Sequence, residues 1–149
     1  MFDYFIKKKK IKNSKQLMIV NLNKIVVPEL MSVGFIGIFP YFRRKQENLL
    51  SFVSFQFNKS GGSFVVEFAR TNDSDKELPE FARSISFENL NGSYLSFGKN
   101  RIRLKPRGQL FSHWFSYKNK NKEEQFEKLA EQVKNLLPIG EKFCQTGEK

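Results

Sequence analysis

Apolar positions along this chain follow two different rhythms. From Ser14, which suits a helix N-cap, Ile19, Leu22, Val26, Leu30 and Val33 recur near helical spacing. Pro28 falls inside that run, where it lacks an N–H and clashes with the preceding turn. The pattern therefore predicts a kink, or a short second helix with Pro28 in its first turn, ended at Gly34. Beyond it, Phe39–Lys45, Leu49–Asn58 and Ser63–Arg70 are rich in aromatic and β-branched residues and read as strands. The stretch Asn58-Lys59-Ser60-Gly61-Gly62-Ser63 between the last two is a turn signal, since glycine adopts positive φ without steric cost.

The register of that hairpin follows from its side chains. Pairing Phe57 with Phe64, Phe55 with Val66 and Val53 with Phe68 makes one face wholly apolar. The opposite face then carries Gln56 by Val65, Ser54 by Glu67 and Phe52 by Ala69. A slip of one residue would set Val53 against Glu67 and mix the faces, so the first register is expected. Downstream, Thr71–Pro79 reads as a polar loop, and Ser84–Phe87 and Ser93–Phe97 as short strands around Asn91-Gly92. Lys99–Leu104 and Trp114–Tyr117 read as further strands. The clearest helix is Lys122–Leu137, with Phe126, Leu129, Val133 and Leu136 on one face and Pro138 and Gly140 as its expected end. Helix, strands, helix implies an α+β domain: an antiparallel sheet of about five or six strands, flanked by an N-terminal and a C-terminal helix and covered on one face. The expected division is a basic arm over 1–15, one domain over 16–143 and a tail over 144–149.

Composition narrows this picture. A chain of 149 residues with 40% hydrophobic and 28% charged positions is too apolar for disorder and suits one domain. Seventeen phenylalanines supply much of the core. One cysteine and one histidine exclude a disulfide framework, a cysteine-based zinc cluster and a multi-histidine metal site. No cofactor motif is present. The apolar run Leu17–Val20 is too short for a secretory signal, and no segment has the length of a membrane span. A cytoplasmic setting without membrane attachment is the expectation.

The net charge of +11 is unevenly spread. Residues 1–15 hold +5, residues 16–117 hold +5, and residues 118–149 hold +1. Lys99, Arg101, Arg103, Lys105 and Arg107 alternate with Ile102 and Leu104, so a strand there would align its cations on one face. Such a stripe suits an anionic partner. It also suits an edge strand protected from aggregation, a solvated role. Arg43 and Arg44 form a second cluster. With Gln56 and Glu67 on the polar hairpin face, they would build either a small anion pocket or a structural ion-pair network.

Catalytic signals are weak. Ser112 and His113 are adjacent, so on a strand they point to opposite faces and cannot share a hydrogen bond. Cys144 has no neighbouring basic cluster in sequence to activate it. Gly61-Gly62 joins two strands and is no phosphate loop. Tyr41, Phe52 and Tyr94 would serve as stacking rings in a single-strand binder, but the strand signature of RNA-recognition domains is absent.

The blocks Val27-Pro28-Glu29-Leu30, Gly34-Phe35-Ile36-Gly37-Ile38-Phe39-Pro40-Tyr41-Phe42-Arg43-Arg44, Phe55-Gln56-Phe57, Gly61-Gly62-Ser63-Phe64-Val65-Val66-Glu67, Arg101-Ile102-Arg103-Leu104 and Trp114-Phe115-Ser116-Tyr117 have a recognisable order. In these the chain resembles a bacterial family catalogued as domain of unknown function 4304, over roughly residues 23–117. The resemblance implies a domain of that kind and no particular activity. The functional expectation is a non-catalytic binding or interaction module using Arg101, Arg103 and Lys105, with an acidic protein as partner. Nucleic-acid binding through the same face and the lysine arm is the alternative. A small anionic ligand held by Arg43, Arg44, Gln56 and Glu67 is the third reading.

Overall fold

In the computed structural model, which describes residues 14–72, 80–94, 100–109 and 113–148, the first helical run becomes two helices. Helix α1 spans Ser14–Ile25 and α2 spans Val27–Ser32, with Pro28 in the first turn of α2. There the missing N–H costs nothing, because the first N–H groups of a helix have no intrahelical acceptor. Gly34 ends α2 at φ +96°. Its N–H donates to the Met31 carbonyl and that of Phe35 to the Leu30 carbonyl. That pair of bonds is a Schellman motif, and the glycine is what permits it.

The sheet runs β1 (Ile36–Ile38), β2 (Tyr41–Gln46), β3 (Leu49–Phe57), β4 (Ser63–Asn72) and β5 (Arg101–Arg103), all antiparallel and in that spatial order. A sixth strand, β6 (Phe115–Ser116), shares the outer edge of β4 with β5. The β3–β4 register is the expected one: Phe57 faces Phe64, Val53 faces Phe68 and Ser54 faces Glu67. The strand expected over 39–45 is corrected at its start. Phe39 and Pro40, joined by a cis peptide, form a turn, and Ile36–Ile38 before it is a strand in its own right.

The expected strand at Ser84–Phe87 is absent. Glu80–Arg83 makes one helical turn (α3), and Phe87–Asn89 and Gly92–Tyr94 are 3₁₀ turns. Residues 95–97 of the other expected strand lie outside the described residues. This segment packs on the sheet instead of joining it. Ala82 and Leu90 cover Leu50, Phe52 and Ala69, giving the sheet a second, smaller apolar cluster on the face expected to be bare. Gly92 sits so close that a Cβ there would lie 2.7 Å from that of Ala69.

The larger core fills the opposite face, where α1, α2 and the last helix cover Phe42, Val53, Phe55, Phe64, Val66 and Phe68. Phe64 stacks between Phe57 and Phe115, each centroid 5.3 Å away. Each such ring contributes roughly 1.5–3 kcal/mol through burial. The last helix, α4, runs over Glu123–Thr146, well past the expected end at Pro138 and Gly140. Its start is held by Gln125, whose Oε1 accepts the Lys122 N–H at 3.1 Å. It continues because its last turns are core: Phe143 and Cys144 are fully buried. The segment read as a tail from 144 therefore begins inside a packed helix, and the αL residue Gly147 closes it. Of the basic arm, residues 1–13 lie outside the described residues, and Lys15 is in α1 with its ammonium 5.3 Å from the Phe57 ring centroid.

Candidate functional site

Strand alternation sorts the predicted residues onto two faces. Arg43 lies opposite Phe52 and Arg44 opposite Ser51, so adjacent arginines point to opposite sides of the sheet. Arg44 goes to the helical side. It is 3% exposed, lies 4.3 Å from the Phe35 ring centroid, and donates through Nη1 to the Val33 carbonyl and to both Glu141 oxygens at 2.8 and 3.0 Å. Arg43 stays on the other face, where its Nε donates to the Leu90 carbonyl at 3.3 Å and so ties the covering segment to β2. The pocket expected from Arg43, Arg44, Gln56 and Glu67 is thus not assembled. Three of the four share a face, and Arg44 is spent on α4.

The basic stripe is shorter than expected. β5 holds three residues, and its pairing with β4 places Arg101 opposite Ala69 and Arg103 opposite Glu67. Glu67 is 2% exposed and receives Arg101 through Nε at 3.0 Å and through Nη2, a two-pronged contact to one carboxylate oxygen. Its other oxygen lies 4.0 Å from the Arg103 Nε. A buried carboxylate on a sheet face requires such compensation, so Arg101 serves the fold. Arg103 keeps more of its surface, 24%, and its guanidinium lies 5.6 Å from the Trp114 ring centroid. Trp114, the chain's one tryptophan, is 42% exposed.

The other members of the stripe divide. Lys105 is half-buried just past the end of β5, and Arg107 is exposed in the turn Pro106–Gly108. Lys99 lies outside the described residues. At the far edge of the same face, Ile38 and Tyr41 stand 86% and 43% exposed on β1 and β2. Gln56 is half-buried in the row beyond Glu67 and makes no hydrogen bond to it.

The catalytic candidates stay apart. His113 Nδ1 sits 3.1 Å from Gln109 Nε2 and its ring meets Phe115 edge-on, and burial holds its pKa below the usual histidine value. Ser112 lies outside the described residues. The Cys144 thiol is buried and pushed up to about 12 by loss of solvent, although Arg44 and Arg70 pull the other way. Desolvation outweighs their charge, so this is a packed thiol and not an activated one. Among the described residues no three His, Cys, Asp or Glu side chains gather as metal ligands, and no helix is long and apolar enough to cross a membrane.

Two features escaped the sequence reading. One is the Arg103–Trp114 cation–π contact, since nothing local links residues eleven apart. The other is a cleft of about 360 Å³ between α2 and α4, floored by Phe68. Comparison with protein-family models, with curated proteins and with solved structures returned no match.

Proposed function

We propose that this chain is a non-catalytic binding module that takes an acidic protein segment on the cationic face of its sheet. The carrying observation is a cation–π contact at the edge of that face, with the Arg103 guanidinium carbon 5.6 Å from the ring centroid of the exposed Trp114. Arginine and tryptophan are the side chains most often found at the energetic centre of protein interfaces. Charge supports the choice of partner. Arg103, 24% exposed, and the half-buried Lys105 lie at this edge, beside Arg101, which the buried Glu67 carboxylate holds. Guanidinium groups make paired contacts with carboxylates. The second reading is nucleic-acid binding through the same face together with the lysine arm, and it predicts affinity that falls steeply with salt.

The test is fluorescence anisotropy with two labelled probes of equal length, a poly-glutamate peptide and a single-stranded oligonucleotide, at about 50 mM salt. The peptide is expected to bind more tightly. Trp114→Ala is expected to weaken it about tenfold, with the fold intact because the ring is exposed. Tighter oligonucleotide binding would favour the nucleic-acid reading, and no binding of either probe would remove the proposed surface.

A further inference from the structure

The turn of the β3–β4 hairpin, the turn after β6 and the first residue of α1 line one cavity of about 480 Å³. Ser60, Gly61 and Gly62 come from the first turn, and Lys118, Asn119, Lys120 and Asn121 from the second, with Ser14 from α1. Tyr117 completes the lining. It is 3% exposed, with its ring packed among Phe57, Phe64 and Phe126, so it closes the inner end and offers a ligand little surface. The other lining residues are half-buried or exposed and stay open to a solute.

The charge of this lining is one-sided. Lys118 and Lys120 belong to it and no carboxylate does. Among the described residues neither ammonium group has an ion-pair partner, whereas Lys134 and Lys142 on α4 each meet a carboxylate at 3.6 Å. The nearest acids in sequence, Glu123 and Glu124, open α4 outside the cavity, and Glu123 accepts a hydrogen bond from Asn21 at 3.0 Å.

One of the two cations is seated by the hairpin turn. A Cβ at Gly62 would lie 2.6 Å from Cγ and 3.0 Å from Cε of Lys118, so the lysine stem occupies the space that any other side chain would fill. Gly62 also has φ +83°, a conformation glycine adopts freely. The turn and the lysine seat therefore require the same residue. Beside the cations stand the hydroxyls of Ser14 and Ser60 and the amides of Asn119 and Asn121, whose side chains make no hydrogen bond among the described residues.

Two unmatched ammonium groups among neutral donors suit a doubly charged oxyanion. Lysine binds phosphate as a point charge, and hydroxyl and amide groups donate to the remaining oxygens. The cavity is in the size range of small-molecule sites, larger than one phosphate needs. We propose that it binds the phosphate group of a small phosphate monoester in its dianionic form. The site shares no residue with the Arg103–Trp114 contact, so its failure would leave the acidic-partner reading untouched.

The experiment is an NMR titration of the full chain at about pH 7.5 and about 50 mM salt, with glycerol 3-phosphate and with dimethyl phosphate. The first carries close to two negative charges, and the second, a diester, carries one. Glycerol 3-phosphate is expected to give saturable shifts at the amides of residues 60–62 and 118–121, with a Kd of roughly 1 mM, and to bind at least about fivefold more tightly than the diester. Lys118→Gln and Lys120→Gln are each expected to weaken it about fivefold, while Lys128→Gln, at an exposed position on α4 outside the lining, leaves it unchanged. Gly62→Ala keeps both charges but displaces the Lys118 stem, and is expected to weaken it about threefold. Absence of saturable shifts would overturn the proposal. So would equal affinity for the two probes, or a loss from Lys128→Gln as large as that from Lys118→Gln.

Discussion

Gly140 offers a quantitative test of how α4 meets the sheet. It is buried inside the helix, and a Cβ at that position would lie 2.4, 2.5 and 2.6 Å from three carbons of the Phe68 ring. Comfortable carbon–carbon contact is about 3.5–4.0 Å, so Gly140→Ala would force helix and ring apart by roughly 1 Å. Phe68 is 1% exposed, with Phe35 edge-on at 6.4 Å, so the ring has little room to yield. Overpacking of this kind costs about 2–3 kcal/mol. Alanine returns about 1 kcal/mol through its better helix propensity. The net expectation is a loss of about 1–2 kcal/mol, or about 2–8 °C in Tm for a chain of this length. Urea denaturation followed by circular dichroism would measure it. Phe68→Leu is expected to be less harmful when combined with Gly140→Ala than in the parent chain, by about 1 kcal/mol of coupling. A Gly140→Ala protein as stable as the parent, or more so, would refute the close approach, since propensity alone predicts a gain.

Two further expectations follow from the buried polar groups. Glu141→Ala leaves Arg44 in the core with only the Val33 carbonyl, and is expected to cost about 2–3 kcal/mol, somewhat below a fully buried pair because Glu141 is 29% exposed. Arg44→Met combined with Glu141→Ala should recover part of that loss in urea denaturation, and a cost under about 0.5 kcal/mol for the single variant would show the pair to be incidental. Burial raises the Cys144 thiol from 9.0 to about 12, so the folded chain keeps a proton that the unfolded chain releases. That contribution to stability is present below pH 9 and falls as pH rises from 9 towards 12. At about pH 8, iodoacetamide should modify Cys144 only as fast as the chain opens, and rapid labelling of the native protein would contradict its burial.

The hairpin β3–β4 was legible because period two leaves few choices. Sliding Ser63–Asn72 by one residue would set Glu67 among the apolar rings, and the observed register avoids that. The Pro28 break was legible for a similar reason, since a missing N–H has a cost anywhere but the first turn. The end of α4 was misread by the same logic. Local rules place a stop at Pro138 and Gly140. In the folded chain Gly140 is where the helix touches Phe68, and the residues beyond it bury Phe143 and Cys144. Packing over those turns outweighs one lost hydrogen bond.

The candidate site shows the same division. The alternation over Lys99–Arg107 predicted a strand face of five cations, and β5 carries only Arg101 and Arg103 of them. How much charge that face presents depends on Glu67, thirty-four residues earlier, which takes up Arg101 and lies within 4.0 Å of Arg103. The sequence by itself determined the α+β order, the helix break, the apolar faces and the hairpin register, because each follows from backbone geometry and side-chain period over a few residues. Tertiary structure alone decided that Arg43 and Arg44 serve different faces, that Arg103 lies over Trp114, and that α2 and α4 leave a cleft above Phe68. Those outcomes depend on distances between segments remote in sequence, and local periodicity carries no information about such distances.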